Sequence, residues 1–162
     1  MENLKLLSDI ALSFQKKNSF KKDVDSLLGK VGNFIGLSRI AIFLNKEGDA
    51  ISKTFEWHRN SLALKIKGLE TIIYKDKGVV QNIIEKKGYL SLEDITDMPE
   101  YIDYKSRLSQ VKSLLLYPLI IDNELGGFIE FDEFRRKRIW TEKELQIFNT
   151  LSAIISNAYE KN

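Results

Sequence analysis

The chain has 162 residues, of which 43% are apolar and 30% are charged, and its formal net charge is +2. This apolar content excludes a disordered chain, and the near balance of charge gives no indication of a nucleic-acid partner. The sequence has no Cys and one His, which excludes thiol catalysis, thiolate metal sites and multi-His metal sites. No segment predicts a membrane span or a signal peptide, so we expect a cytoplasmic protein that binds neither membranes nor nucleic acids.

Two amphipathic helices are predicted at the N-terminus, over residues 1–37. The first helix is expected to end near Lys17, and its apolar face is formed by Leu4, Leu7, Ala11 and Phe14. Gly36 is the expected stop of the second helix. The apolar stripe of that helix consists of Phe20, Val24, Leu27, Leu28, Val31, Phe34 and Ile35.

The apolar period then changes to two, which predicts strands. Residues 39–44 are apolar on both faces, as is typical of a central strand, and residues 50–58 form the return strand of a hairpin. Further elements follow in the order edge strand (59–74), short helix (77–86, ending at Gly88), short strand (89–92), acidic turn (93–98), helix after Pro99, and a hairpin of strands 112–121 and 126–134.

The last helix has the clearest start signal. Thr141 and Glu144 form a capping box, and Trp140 is placed to pack on Leu145. The apolar arc of this helix is wide, and it consists of Leu145, Phe148, Leu151, Ser152, Ile154, Ile155, Ala158 and Tyr159.

Two hairpins flanked by helices predict an α+β fold with an antiparallel sheet of about six strands. The N- and C-terminal helices are expected on one face, and short helices and loops should cover a pocket on the other. We expect one domain over residues 1–162, made of N-terminal helices (1–37), sheet and pocket-covering elements (38–134) and the C-terminal helix (140–161).

Several motifs of this chain resemble GAF domains of bacterial and archaeal sensory histidine kinases. The run 113–119, Ser-Leu-Leu-Leu-Tyr-Pro-Leu, resembles the family's penultimate strand. The run 127–132, Gly-Phe-Ile-Glu-Phe-Asp, and the later run 138–144, Arg-Ile-Trp-Thr-Glu-Lys-Glu, resemble its last strand and helix cap. The resemblance implies a small-molecule-binding and dimerisation module in signalling, with a sensor kinase or another signalling protein as a possible partner. It also implies a pocket on the sheet face away from the terminal helices.

Known GAF activities can be compared with these residues. Covalent bilin attachment and free methionine sulfoxide reduction in this fold both require Cys, which the chain lacks. The cyclic-nucleotide motif is spelled by Asn45-Lys46 and by residues 128–133, but here the second part lies inside a strand instead of after it. We therefore expect the spelling to be a coincidence, and we expect no cofactor, no metal and no catalytic residue.

The predicted ligand pocket is built on the last strand. A period of two places Phe128, Glu130 and Asp132 on one face. Glu130 could fill the pocket or accept a cationic or amine ligand, or both acids could pair structurally with loop N–H groups or Arg138. Phe55 and Trp57 could form an aromatic wall or ordinary core. The complete predicted pocket is Ile42, Phe55, Trp57, Leu116, Phe128, Glu130 and Asp132.

The function expected from these features is non-catalytic sensing of an unknown small molecule, with binding shifting the packing of the terminal helices. The wide arc of the last helix and the stripe of the first helix predict a parallel homodimer through these helices. The alternative is a ligand-free interaction module whose pocket is filled by its own side chains. An enzyme would depend on the two carboxylates alone.

Overall fold

The computed structural model describes residues 2–13, 20–45, 50–59, 71–73, 85–97 and 111–161. Most of the predicted helix over 77–86, the helix after Pro99 and most of the predicted edge-strand segment lie outside these ranges. The end of the helix over 77–86 is described, since residues 85–87 are helical and Gly88 follows with a φ of 81°. Gly88 is therefore the stop that the sequence predicts, because a positive φ is easily adopted by Gly.

A six-stranded antiparallel sheet forms the middle of the fold, as predicted. The strands are β1 (Arg39–Asn45), β2 (Ala50–His58), β3 (Thr71–Ile73), β4 (Leu90–Leu92), β5 (Ser113–Ile121) and β6 (Glu124–Glu133). Their order across the sheet is β3-β2-β1-β6-β5-β4. Two hairpins, β1–β2 and β5–β6, therefore meet through β1 and β6, which become the central pair.

Three helices share one face of this sheet: α1 (Glu2–Ser13), α2 (Phe20–Ile35) and α3 (Glu142–Lys161). The prediction that both chain ends lie on one face is confirmed, because α1, α2 and α3 contribute to a single core with the sheet. Among the α1 side chains that the structure describes, Leu6 and Ile10 are buried, and the predicted stripe omitted both; the side chains of that stripe lie outside the described residues. Phe34, a member of the predicted apolar stripe of α2, is 41% exposed and does not lie in the core.

The turns explain where the elements end. Gly36, at a φ of 80°, closes α2, and the N–H groups of Gly36 and Leu37 both donate to the Gly32 carbonyl at 2.9 Å. The turn between β5 and β6 consists of two residues, since Asp122 and Asn123 have φ values of 52° and 65°. Two consecutive positive φ angles make the tight turn of a hairpin, so β6 begins two residues earlier than predicted.

The start of α3 agrees with its predicted signals. The Thr141 N–H donates to Glu144 Oε1 at 3.1 Å, and the Glu144 N–H donates to Thr141 Oγ1 at 3.2 Å. These two hydrogen bonds are the reciprocal pair of a capping box. Trp140 is buried, with its ring centroid 6.0 Å from that of Phe148. None of the described helices is long and apolar enough to cross a membrane.

Pro118 lies within β5, at a point that the short partner strand does not reach. β4 pairs with β5 only from Leu114 to Leu116. The missing N–H of Pro118 therefore removes no hydrogen bond to β4, which explains how Pro fits inside this strand.

Candidate functional site

The sheet register decides which predicted pocket residues share a face. Glu130 lies opposite Ala41 of β1 and Leu116 of β5, while Phe128 lies opposite Phe43. Directly opposed residues on neighbouring strands present their side chains on the same face. Leu116, Phe128, Glu130 and Asp132 therefore lie together on the face opposite the helices, and none of the four belongs to the core under the helices.

Three residues of the predicted pocket lie on the other face, and their assignment is corrected here. Ile42 pairs with Ile129, and Phe55 and Trp57 pair with Ile42 and Ile40. All three pack in or against the core beneath the helices. The reason is that β1 is apolar on both faces, so its sequence pattern could not show which set of side chains meets the helices.

An ionic cluster centred on Arg39 occupies the face opposite the helices. Arg39 Nη1 donates to Glu130 Oε2 at 2.7 Å and to Asp132 Oδ2 at 2.8 Å. Arg39 Nε donates to Glu56 Oε2 at 3.0 Å. Arg39, Glu130 and Asp132 are fully buried, whereas the Glu56 side chain is 20% exposed. One guanidinium group thus joins carboxylates from β2 and β6 across the central strand.

Two buried carboxylates that bind the same nitrogen repel each other. Burial, together with the nearby charge of Glu130, raises the pKa of Asp132 well above its ordinary value, although Arg39 acts in the opposite direction. The second oxygen of this side chain, Oδ1, is buried and has no hydrogen-bond partner in the described part of the chain. Asp132 therefore holds a proton more readily than an ordinary aspartate, and in the ionised form its Oδ1 is an acceptor without a donor in the described part of the chain.

The next residue along β6 builds a second cluster, on the helix side. Glu133 is buried and accepts from Ser38 Oγ at 2.8 Å and from Arg135 Nε at 2.9 Å. Burial alone would raise its pKa, but the hydrogen bonds from Arg135 and Ser38 outweigh burial and lower the pKa to about 2. Glu133 is consequently ionised at neutral pH.

Arg138 connects this second cluster with two helix ends. Its Nη1 donates to Glu133 Oε2 at 3.3 Å, and its Nη2 donates to the Ile35 carbonyl at 3.2 Å and to the Glu144 carboxylate. A cation at the carbonyl end of α2 and an acid in the first turn of α3 both complement the helix dipoles. The guanidinium also lies 5.1 Å from the centroid of the Trp140 ring. We call Glu133, Arg138 and Glu144 the helix clamp.

The two clusters share two short segments of the chain, residues 38–39 and residues 132–133. Ser38 and Arg39 are consecutive, Asp132 and Glu133 are consecutive, and the Ser38 N–H donates to the Asp132 carbonyl at 3.0 Å. Because side chains alternate along a strand, Arg39 and Asp132 serve one face while Ser38 and Glu133 serve the other. A displacement of β1 against β6 at this point would therefore act on both clusters.

Sequence reasoning missed Arg39 as a site residue. A usable signal existed, since a charged residue opens a strand that is apolar on both faces, and a buried charge must be paired. Arg138 was considered as a partner of Glu130 or Asp132, but it pairs with Glu133 and Glu144. The alternation of β6 explains the difference, because it places Glu133, not Asp132, on the side of Arg138.

The remaining charged motifs have structural partners. Within the basic run 135–138, Arg135 and Arg138 pair with Glu133, and Lys137 pairs with Asp94 at 2.8 Å. Asn45 donates to the Leu125 carbonyl at 2.7 Å, at the end of β6 remote from Asp132 and Glu133. No group of three His or acidic side chains in the described ranges is arranged to hold a metal ion.

A separate groove of about 460 Å³ lies between α3 and the end of β5. Tyr117, Pro118 and Ile120 line it from the sheet, and Asn149, Ser152 and Ala153 are among the residues that line it from α3. It shares no lining residue with the predicted pocket.

The fold is that of an α+β domain built on an antiparallel sheet, and comparisons with known proteins give the family. The GAF domain model matches residues 24–159. The chain belongs to the GAF domain family.

One curated relative is the methanogenesis regulatory histidine kinase FilI of Methanothrix harundinacea (strain 6Ac). The two sequences are 27% identical over 144 residues, which cover 85% of this chain and 16% of that kinase. The chain thus spans about one sixth of the length of the relative, so the similarity concerns one segment of a much longer protein.

Solved structures share the fold at low sequence identity. The phycocyanobilin-bound GAF domain from a cyanobacterial phytochrome has a TM-score of 0.79 at 13% identity, covering 99% of this chain and 95% of that one. The GAF domain from an Acinetobacter phosphoenolpyruvate-protein phosphotransferase has a TM-score of 0.74 at 16% identity, covering 98% and 92%. The free methionine-R-sulfoxide reductase from Neisseria meningitidis has a TM-score of 0.75 at 15% identity, covering 98% and 88%. These likenesses establish the fold.

Proposed function

We propose that this GAF domain senses a small molecule on the sheet face that carries Arg39, Glu130 and Asp132, without catalysing a reaction. Binding there would change how the terminal helices pack. The observation that carries the proposal is that members of the two clusters are neighbours along the chain, since Arg39 follows Ser38 and Glu133 of the helix clamp follows Asp132. Small-molecule binding by this fold is supported by the phytochrome neighbour, whose GAF domain is bound to phycocyanobilin.

The proposed mechanism is a shift between two arrangements of the helices. A ligand that contacts Arg39 or Asp132 moves the adjoining ends of β1 and β6, and Ser38 and Glu133 move with them. Glu133 holds Arg138, which bridges the end of α2 and the start of α3. The ligand can bias the helices only by its different affinity for the two arrangements.

The proposal includes the setting of the domain. We propose residues 1–162 as a single domain that acts in the cytoplasm, with a sensor kinase or another signalling protein as its output. The kinase relative supports this setting. Thiol chemistry is excluded because the chain has no Cys. Nucleic acid is not a proposed partner, because Arg135, Lys137 and Arg138 of the basic run are engaged in ion pairs.

The test begins with native mass spectrometry of the protein purified without denaturation, followed by hydrogen exchange with the compound identified. We expect a bound small molecule and altered protection in α2 and α3 when it is removed. In Arg138→Gln, binding should persist while the response of α3 is reduced. Arg136→Gln, which removes an exposed charge from the same loop, is the matched control. Unchanged protection of α2 and α3 in the wild-type protein on ligand removal would refute the mechanism.

A ligand-free interaction module is the second candidate. It is favoured by the complete burial of Phe128, Glu130 and Asp132, together with Leu116 at 1% exposed. Such side chains could fill the predicted pocket themselves. This candidate predicts that no compound from a metabolite panel changes the melting temperature, while the domain still associates with a protein partner.

Homodimerisation through the terminal helices is part of the proposal in both cases. Leu12 of α1 is 50% exposed, and Ile154 and Ala158 of α3 are only partly buried. We expect a dimer in analytical ultracentrifugation that Leu12→Glu weakens. A monomer at high micromolar concentration would remove this part of the proposal.

A further inference from the structure

We propose that the ligand of the Arg39 cluster is a small organic cation, an ammonium or guanidinium compound that binds at Asp132 and Glu130. This inference rests on the proposed function, because it names the class of molecule that the same site would sense. It goes beyond the family assignment, which leaves the chemistry of the ligand open.

The first observation is the vacant acceptor position of Asp132. The side chain is fully buried, and its Oδ2 is held by Arg39 Nη1 at 2.8 Å. Its Oδ1 is buried without a hydrogen-bond partner in the residues that the structure describes. A buried carboxylate oxygen that lacks a donor is costly, so a donor brought by a ligand is favoured at this atom.

The second observation favours a charged donor over a neutral one. Glu130 and Asp132 share one nitrogen of Arg39, at 2.7 and 2.8 Å, so two carboxylate groups are crowded in a buried place. A neutral donor would not offset the repulsion that arises when both groups are ionised. A cation beside Asp132 Oδ1 would reduce it and allow both groups to ionise, with the proton of Asp132 released to the solvent.

The third observation favours an organic cation over a metal ion. Within the described residues, no three acidic or His side chains have the arrangement that a metal ion needs. Phe43 and Phe128 lie opposite each other on the same face, and the Arg39 guanidinium lies 6.0 Å from the centroid of the Phe43 ring. Aromatic rings next to carboxylates suit alkylammonium and guanidinium groups, which combine charge with apolar surface.

The test uses calorimetric titration of the whole chain with three probe cations: butylammonium, butylguanidinium and choline. Butyramide is the neutral match, and butyrate is the anionic match. Titrations in phosphate and in MOPS at one pH report proton release, because the two buffers differ in heat of ionisation and neither carries a net positive charge that would compete with the probes. We expect at least one cation to bind with release of up to one proton, and neither match to bind.

Two variants locate the binding. Asp132→Asn should weaken the cation at least tenfold and abolish proton release, and Glu130→Gln should weaken it as well. Asp122→Asn, which removes an exposed carboxylate from the β5–β6 turn, should bind as the wild type does. Circular dichroism confirms that each variant is folded, and if Asp132→Asn does not fold, Glu130→Gln decides the question.

Three results would overturn the proposal. The first is that no probe cation binds at millimolar concentration. The second is that a cation binds equally well to the wild type, Asp132→Asn and Glu130→Gln. The third is that butyrate or butyramide binds and loses affinity in Asp132→Asn, which refutes the cationic class but leaves small-molecule sensing intact. Failure of the proposed function itself shows differently, as unchanged protection of α2 and α3 with any bound compound.

Discussion

The position of Trp57 against α2 leads to a prediction with opposite signs at two glycines. A Cβ atom at Gly32 would lie 2.1 Å from Trp57 Cζ3 and 2.4 Å from Cε3. A Cβ atom at Gly29, one turn earlier, would lie 3.5 Å from Trp57 Nε1, which is an ordinary contact. Gly32→Ala should therefore destabilise the domain, whereas Gly29→Ala should not.

The size of the effect follows from these distances. Carbon atoms prefer separations of about 3.5–4.0 Å, so the indole ring would have to move by more than 1 Å. Arg59 restricts that movement, since its guanidinium lies 5.8 Å from the ring centroid and bonds to the carbonyls of Leu37 and Gly32. Overpacking costs about 1–3 kcal/mol, and the helix propensity of Ala returns about 1 kcal/mol. We expect a net loss of up to about 2 kcal/mol for Gly32→Ala and a gain of about 0.5–1 kcal/mol for Gly29→Ala.

Urea unfolding followed by circular dichroism measures both variants, and thermal unfolding should show shifts of a few degrees in opposite directions. A double variant supplies the control. With Trp57→Leu in place, Gly32→Ala should lose most of its penalty, because the clashing ring is gone.

Equal stability of Gly32→Ala and Gly29→Ala would refute the reasoning. It would mean that the Trp57 ring does not pack against α2, and it would restore Trp57 as a candidate wall of the ligand site. The experiment thus tests directly which face of the sheet carries this side chain.

Three further predictions concern the two clusters and the central strands. Because burial and Glu130 raise the folded-state pKa of Asp132 above its usual 3.8, folding takes up a proton, and wild-type stability falls as the pH rises from 3.8 through the folded pKa. In urea unfolding from pH 4 upwards, the free energy of unfolding should change with pH less steeply in Asp132→Asn than in the wild type, by up to about 1.4 kcal/mol per pH unit, and equal slopes would contradict this. The pKa of Glu133 is lowered from 4.5 to about 2, so its contribution to stability is present above pH 4.5 and is lost as the pH falls towards 2. Glu133→Gln should not show this loss of stability in acid titrations followed by circular dichroism. An acid transition identical to that of the wild type would argue against the contribution of Glu133. A Cβ at Gly127 would lie 2.0 Å from the Phe43 carbonyl oxygen, whereas at Gly126 it would meet only a side chain. Gly127→Ala should therefore cost about 2–4 kcal/mol in thermal unfolding, more than Gly126→Ala, and a smaller cost would refute the close approach of the strands.

Much of the fold could be predicted from local signals. The stops at Gly36 and Gly88, the capping box at Thr141 and the two hairpins all depend on neighbouring residues in the chain, so short patterns were sufficient. Half of the candidate site could be predicted for the same reason. Phe128, Glu130 and Asp132 lie on one strand, and the period of two places them together wherever the strand packs.

The other half of the candidate site depended on long-range register. Ile42 lies on β1, which is apolar on both faces, and Trp57 lies on β2, which pairs with β1. The local sequence pattern is therefore the same whether these side chains face the pocket or the helices. Arg39 was missed because its ion-pair partners, Glu130 and Asp132, lie more than 90 positions away along the chain.

The amino-acid sequence by itself determined that this chain forms helices at both ends around an antiparallel sheet, and that thiol chemistry is impossible. Those properties follow from the hydrophobic period and the capping residues, which depend only on near neighbours in the chain, and from composition, which does not depend on the order of residues. The tertiary structure alone decided that Arg39 joins the acids on one face and that Arg138 joins two helix ends on the other. Both outcomes depend on the pairing of β1 with β6, because only that pairing brings residues 38–39 beside residues 132–133.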